Sequence, residues 1–313
     1  MIPTLMLLIA SLSASDRLIL EGKGKHIVLI SGDEEYRSEE ALPALARILN
    51  THHGFKCTVL YAIDPKDGTI NPDIQNNIPG LETLNSADLM ILFTRFRNLP
   101  DEQMQHIVRY LDRGGPIIAM RTATHAFALT QGSYRKYSWN SKEWEGGFGK
   151  QILGETWIRH HGKHGVQSTS GILASRLHPI LRGVRDIWGP SDVYFVKLPL
   201  PEDATPLVMG QVLTGMKPED PPVKGPVNNP LMPVAWTRSY GPKKKSRIFV
   251  TTMGAATDLP NEGVRRMLVN ATFWALGQEK KIKPDLKIDF VREYQPTAFK
   301  FGGYIRGLRP GDR

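Results

Sequence analysis

Apolar residues fall in short runs through the first 120 positions, and segments with helical spacing separate those runs. HIVLIS (26–31) is one such run and ends at Gly32. Leu42, Leu45 and Leu49 then recur at helical spacing within ALPALARILN, which predicts a strand followed by a helix. KCTVLYAI supplies a second strand and DLMILFT (88–94) a third. Met104, Ile107, Val108 and Leu111 form an apolar stripe between Asp101 and Asp112. Asp101 and Glu102 sit at the favourable end of the helix dipole, and Gly114 and Gly115 act as the stop. PIIAM (116–120) reads as the fourth strand. This alternation predicts a parallel sheet covered by helices, with Val28, Val59, Ile91 and Ile118 in strands of one sheet.

The pattern then changes. Residues 133–165 are rich in Gly, Trp, Lys and His and show little periodicity beyond a short helix around Phe148 to Leu153. Long irregular segments inside compact domains are often functional. VYFV, PLVMG, PVAW and RIFVTTM follow as strands that extend or flank the sheet. Val264, Met267, Leu268, Ala271 and Trp274 mark a closing amphipathic helix. Residues 278–313 are basic and rich in Pro and Gly, which predicts an extended tail packed on the body.

The amino end, MIPTLMLLIASLSAS (1–15), carries an apolar run from Leu5 to Ala10 and then small residues. Ser13 and Ser15 suit a signal peptidase, although no Lys or Arg precedes the run. It reads as a signal peptide, with a surface-packed or disordered arm as the alternative, so the expected location is periplasmic or secreted. No segment reaches the ~20 apolar residues of a membrane-spanning helix, and no stable membrane insertion is expected.

Composition narrows the chemistry. A 313-residue chain with 41% hydrophobic residues can bury one large α/β domain, placed here at 25–277. Cys57 is the only cysteine, which rules out an internal disulfide or a thiolate metal cluster; within its strand it reads as a small buried hydrophobe. The net charge of +9 raises nucleic acid or an acidic polymer as a partner. Yet the basic residues are dispersed, apart from Lys243, Lys244 and Lys245, and no nucleic-acid-binding motif is visible, so no nucleic-acid partner is expected.

Open α/β sheets bind ligands beyond the carboxyl ends of their strands. There the first strand delivers Asp33, Glu34, Glu35, Tyr36 and Arg37, the third Arg95 and Arg97, and the fourth Arg121, Thr122, Thr124 and His125. These residues predict a common pocket, although carboxylates such as Asp33 to Glu35 also serve as helix caps. MRTATHAF is expected to turn sharply from strand into helix and aim Thr122 to His125 at the ligand. WIRHHGKHG adds His160, His161 and His164, which can act as acid/base groups, bind a sugar hydroxyl or hold a divalent ion such as zinc. Trp139, Trp144 and Trp157 are candidate platforms for sugar rings, with core packing the alternative for Trp157. His178, opening HPILRGV, reads as a structural turn residue.

Several of these segments together resemble the ThuA-like, or trehalose-utilisation, family, which has the class I glutamine amidotransferase-like fold. The resemblance spans roughly residues 25–277. It rests on RGGPIIAMRTATHAF, GGFGKQILGETWIRHHGKHG, HPILRGV with DVYFV, PVAWTR, RIFVTTMGAATD and VNATFWALG; the stretch SGDEEYRSEEALP is similar to exported members. It implies a Rossmann-like, flavodoxin-like three-layer sandwich with a mostly parallel sheet, and a role in carbohydrate metabolism. Amidotransferases place a nucleophilic cysteine after the fourth strand and a partner histidine near the last; here Arg121 to Thr124 and Thr252 to Ala255 stand there, so glutaminase activity is not expected. Family members commonly carry a histidine where Arg121 stands and another near Ala255. Their metal ligands therefore do not transfer directly, and His125 is the nearby residue able to substitute.

The functional expectation is an exported carbohydrate-active protein, a hydrolase or lyase acting on a sugar or an oxidised (keto) glycoside by acid/base catalysis. His125, His161 and Arg121 are the catalytic candidates. Asp33, Glu35, Arg95, Arg97, Thr122 and Trp157 are the substrate-binding candidates, and His160, His161 and His164 the metal candidates. The alternative is a non-catalytic sugar-binding or scaffold module on the same fold.

Overall fold

The computed structural model describes residues 16–175, 177–241 and 245–313; the segment read as a signal peptide, and Lys243 and Lys244, lie outside the described residues. Ten strands form one sheet: β1 (Arg17–Leu20), β2 (His26–Gly32), β3 (Lys56–Leu60), β4 (Leu89–Thr94), β5 (Ile117–Met120), β6 (Thr169–Leu173), β7 (Ile187–Gly189), β8 (Thr205–Val212), β9 (Met232–Tyr240) and β10 (Ser246–Thr251). Their spatial order is β1-β3-β2-β4-β5-β10-β9-β8-β6-β7. The run β3-β2-β4-β5-β10 is parallel. β1 at one edge and β9, β8, β6 and β7 towards the other pair antiparallel, making a mixed sheet. Val28, Val59, Ile91 and Ile118 stand in neighbouring parallel strands, as the apolar runs predict.

The three long helices are α1 (Ser38–His53), α2 (Asp101–Asp112) and α3 (Glu262–Ala275). The β2-α1-β3 connection steps one way across the sheet and β4-α2-β5 the other, so right-handed crossovers place α1 and α2 on opposite faces. α3 lies beside α1: the Phe273 ring packs 5.2 Å from His53 and 5.3 Å from Phe55. With both faces covered, β2, β4 and β5 are buried almost throughout, which is why their sequences are continuous apolar runs. α1 buries Ala41, Leu42, Leu45, Ala46, Ile48 and Leu49. It stops at Gly54, whose φ of 71° suits glycine and lets its N–H donate to the Asn50 carbonyl at 2.8 Å.

One expectation is corrected and two are refined. MRTATHAF turns sharply after β5, as expected, and the helix it enters is a short 3₁₀ helix, Arg121–His125. The chain leaves the turn to pair with the segment after β4, Arg97 N–H donating to Ala126 O at 2.8 Å and Ala128 N–H to Arg97 O at 2.9 Å. VYFV does not join the sheet. It pairs with the irregular segment through His161 N–H to Val193 O and Phe195 N–H to Arg159 O, and so carries 159–161 across the strand ends. Around Phe148 to Leu153 the chain makes a π-helical turn, Gly149–Leu153. A Cβ on Gly149 would lie 2.0 Å from the Thr124 carbonyl oxygen, so only glycine lets that turn pack against the Arg121–His125 turn.

The strand order reverses direction beside β2, which opens the crevice at the carboxyl ends of β2, β4 and β5. Asp258, fully buried, braces its far wall. Its carboxylate accepts from Ser191 N–H (3.1 Å), Ser191 Oγ (2.6 Å), Gly254 N–H (2.8 Å) and Ala255 N–H (3.0 Å), tying the turn after β10 to the loop after β7. Beyond α3 the tail packs back on the body, burying Ile282, Ile288 and Tyr304. Asp258→Ala leaves four donors facing an apolar side chain and should lower the unfolding free energy by about 2–4 kcal/mol in urea titration. A change below about 0.5 kcal/mol would show that Asp258 braces nothing.

Candidate functional site

Backbone strain marks one edge of the sheet. Arg37 (φ 61°), Phe96 (φ 48°) and Arg121 (φ 45°) are non-glycine residues in the left-handed region, and they follow the ends of β2, β4 and β5 respectively. Side chains disfavour this conformation, and where it clusters the surroundings are holding groups in set directions.

Arg121 takes the sharp turn after β5 and is wholly buried. Its Nη1 donates to the carbonyls of Asp192 and Thr252, both at 2.6 Å, and its Nη2 to Tyr36 Oη at 2.9 Å and Asp192 Oδ1 at 2.6 Å. The guanidinium lies between the rings of Tyr194 (3.9 Å) and Tyr36 (4.3 Å). Burial opposes its charge, and the two tyrosines and Asp192 restore it. Arg121, expected among the catalytic residues, thus faces protein on every side and fixes Asp192.

Asp192 passes this order on to two histidines. His160 Nδ1 donates to Asp192 Oδ2 at 2.8 Å, and His164 Nδ1 lies 3.1 Å from Oδ1 and 3.2 Å from the Tyr36 hydroxyl. His164 Nε2 reaches Glu35 at 3.3 Å. The two imidazoles stand 4.8 Å apart and keep roughly a third of their side-chain surface open to solvent. Hydrogen bonds to Asp192 and then Glu35 raise His164 to about 9, so it is an imidazolium at neutral pH. Burial pushes the Asp192 carboxyl upward, but Arg121 and the two histidines outweigh it and hold the group below the ordinary carboxylate range.

The other expected residues divide into those that line the site and those that build it. Glu35 touches both His164 and Arg95, and Arg95, partly exposed, pairs with Glu34 and Glu35 while lying between the Phe96 and Phe301 rings. Trp157 is 5.4 Å from His125 and 5.8 Å from His160, with Trp139 behind it at 6.1 Å. His125 is buried beneath this wall, 4.8 Å from Phe96, with Nδ1 3.1 Å from Thr124 Oγ1; burial, then Arg95 and Arg121, hold it well below its ordinary value and neutral.

Asp33, Thr122 and Arg97 are buried, and their side chains bond to protein groups. Asp33 is wholly buried: one carboxylate oxygen accepts the Glu35 and Tyr36 N–H groups and the other accepts Thr122 Oγ1 at 2.5 Å, pinning β2's turn to β5's. Arg97 spends its donors on Arg95 O, Pro72 O, Ile74 O and Glu34. Trp144 packs on Tyr137, away from the histidines. His161 does not join the His160–His164–Asp192 group. In extended backbone, neighbouring side chains point to opposite sides, so its Nε2 bonds Val227 O at 2.5 Å and its ring lies by Phe195. His178 does cap its turn, Nδ1 accepting from Ile180 N–H at 3.3 Å.

Among the described residues, the group whose spacing could hold a metal ion is His160, His164 and Asp192, whose ligand atoms all lie within 4.8 Å of one another. Tyr36 stands among the strand-end residues expected at the pocket, whereas Asp192 and Tyr194 carry no such expectation from the sequence. Asp192 opens the quoted DVYFV, and a carboxylate immediately before an aromatic, apolar stretch was the available signal.

His164 gains its proton affinity on folding, so its contribution to stability is full below about pH 6.5 and is lost as pH rises through about 9. Asp192 works the other way, contributing above its ordinary 3.8 and losing that as pH falls. Histidine NMR titration should place His164 near 9, and Asp192→Asn should move it down towards 6.5. A wild-type His164 titrating at or below 6.5 would contradict this geometry.

Among curated protein sequences none matches the chain significantly. Solved structures do. A ThuA-like protein from Parabacteroides merdae superposes with a TM-score of 0.55 at 16% identity, over 81% of this chain and 90% of its own. A ThuA-like protein from Bacteroides uniformis gives 0.52 at 16% identity, over 84% and 96%. At this identity the two establish the fold. The ThuA family model, described as trehalose utilisation, matches residues 27–275. The chain is thus a member of the ThuA, trehalose-utilisation, family.

Proposed function

We propose that this protein is an exported carbohydrate-active enzyme that uses the His160–Asp192–His164 group for acid/base chemistry on a sugar or oxidised glycoside, as a hydrolase or lyase. One observation carries the reading: two solvent-reaching imidazoles share a buried carboxylate, and one of them, His164, also pairs with a second carboxylate, Glu35. His160, bonded to Asp192 through Nδ1, presents Nε2 as the base. His164 and Arg95 supply positive charge for a developing oxyanion. Trp157 and Phe96 offer the apolar face that a pyranose ring stacks on.

A 3-keto glycoside suits these parts. Its ketone acidifies the C2 proton; the base takes that proton and the electron pair moves to the ketone oxygen as an enolate. Collapse of the enolate breaks the C1–O bond, and the departing oxygen takes up a proton. Addition of water to the resulting enone completes hydrolysis; release without it is elimination. The amino-terminal sequence supports export.

A second reading follows from the closeness of the ligand atoms of His160, His164 and Asp192, which is within reach of one divalent ion such as zinc. That ion would bind neutral imidazoles and act as a Lewis acid on a substrate oxygen, with Arg121 orienting Asp192 behind it. Elemental analysis of the purified protein separates the readings: a stoichiometric ion, lost in Asp192→Asn, favours the metal.

Assayed with native and 3-keto glycosides, His160→Gln should lose about 10²–10⁴-fold in kcat with little change in thermal midpoint. His161→Ala should keep wild-type turnover. Binding of these glycosides without turnover by the wild type would instead make the protein a sugar-binding module, and full activity in His160→Gln would remove the proposed base.

A further inference from the structure

The family domain ends at residue 275, yet the site does not. Tyr294 donates through Oη to Ala256 O at 2.9 Å, in the turn after β10. Thr297 donates through N–H and Oγ1 to the Glu40 carboxylate at 2.8 and 2.9 Å, and Arg37 Nη2 donates to Lys300 O. Glu40 and Arg37 belong to the first turn after β2, so the tail is tied to the same sheet edge that carries the histidines. Anchors at 297 and 300 leave Phe299 little freedom. Its ring stands 5.2 Å from His164 and 5.3 Å from Tyr36, and Phe301, 59% exposed, covers Arg95 with its ring 4.9 Å from the guanidinium carbon.

The site therefore has two aromatic walls. Trp157 stands on the His160 side at 5.8 Å, Phe299 on the His164 side at 5.2 Å, and the imidazole pair, 4.8 Å between centroids, lies between them. A single pyranose covers one wall only. We infer that residues 294–301 form a specificity strap, and that the ligand is a two-ring glycoside: one ring on Trp157, the second sugar or an aryl aglycone against Phe299 and Phe301, and the linking oxygen over the imidazoles. This inference rests on the glycoside reading above and adds to it the size of the substrate. An exposed phenylalanine stacked on a cation at the mouth of a polar site is the kind of surface that a second ring would cover.

The test compares a one-ring probe, methyl 3-keto-glucoside, with two-ring probes, 3-ketotrehalose and 4-nitrophenyl 3-keto-glucoside, on the full chain. For the two-ring probes Phe299→Ala should raise KM about tenfold, with kcat within about threefold, and Phe299→Leu should do so less; the methyl glycoside should be unaffected. Hydrogen exchange should show residues 294–301 protected by the two-ring probes and not by the methyl glycoside, and this readout needs no turnover. Equal KM changes for all three probes, or no change for any, would overturn the strap while leaving the acid/base reading standing. Two-ring probes that protect the strap without being turned over would support the strap and overturn catalysis. Absence of both protection and turnover with every probe would overturn both.

Discussion

A guanidinium with no exposure to water sits where the chain leaves β5, and the organisation of this sheet edge follows from supplying it with a counter-charge. An unpaired buried charge is not tolerated, and removing one partner of such a pair costs about 3–5 kcal/mol. Asp192 provides the charge, while Tyr36 and Tyr194 close over the two faces of the guanidinium. Once Asp192 is fixed, its oxygens are directional acceptors, and His160 and His164 settle on them. The same pairing continues outwards through Glu35 and Arg95, then Glu34 and Arg97. The histidines are thus placed by a chain of ion pairs that begins in the core.

Arg121 takes a left-handed turn directly after β5. Its side chain points inward onto Asp192, and the partly exposed groups at this edge include His160 and His164. His160 and His164 arrive from the 159–164 segment, which pairs through its backbone with VYFV.

Much of the fold was legible because burial on both faces leaves a continuous apolar signal: β2, β4 and β5 read directly as HIVLIS, DLMILFT and PIIAM. α2 was legible from its stripe and stop. β1, β6 and β7 were not, because they are short and have few consecutive apolar residues, and β1 and β6 are also partly exposed. VYFV misled for the opposite reason, since Val193 and Val196 are buried in the core without pairing in the sheet, and the segment makes only an isolated bridge to His160. Within the site, the strand-end rule located Glu35, Arg95, Arg121 and His125. Spacing could not tell His161 from its neighbours, because the alternation of an extended segment depends on which backbone it pairs with. Asp192 lies 71 residues from Arg121, and no local pattern joins them. Phe299, in the tail, carried no signal at all.

The claim that Arg121 positions Asp192, and does not touch ligand, is tested most directly by a crystal structure of the Arg121→Lys variant. Lysine keeps a charge but cannot hold two acceptors on one side chain in the fork geometry of arginine. The account predicts a retained fold in which the Asp192 carboxylate has turned and the 2.8 Å contact from His160 Nδ1 has opened beyond hydrogen-bond range. An Asp192 that stays in place, with both histidine contacts unchanged, would contradict it.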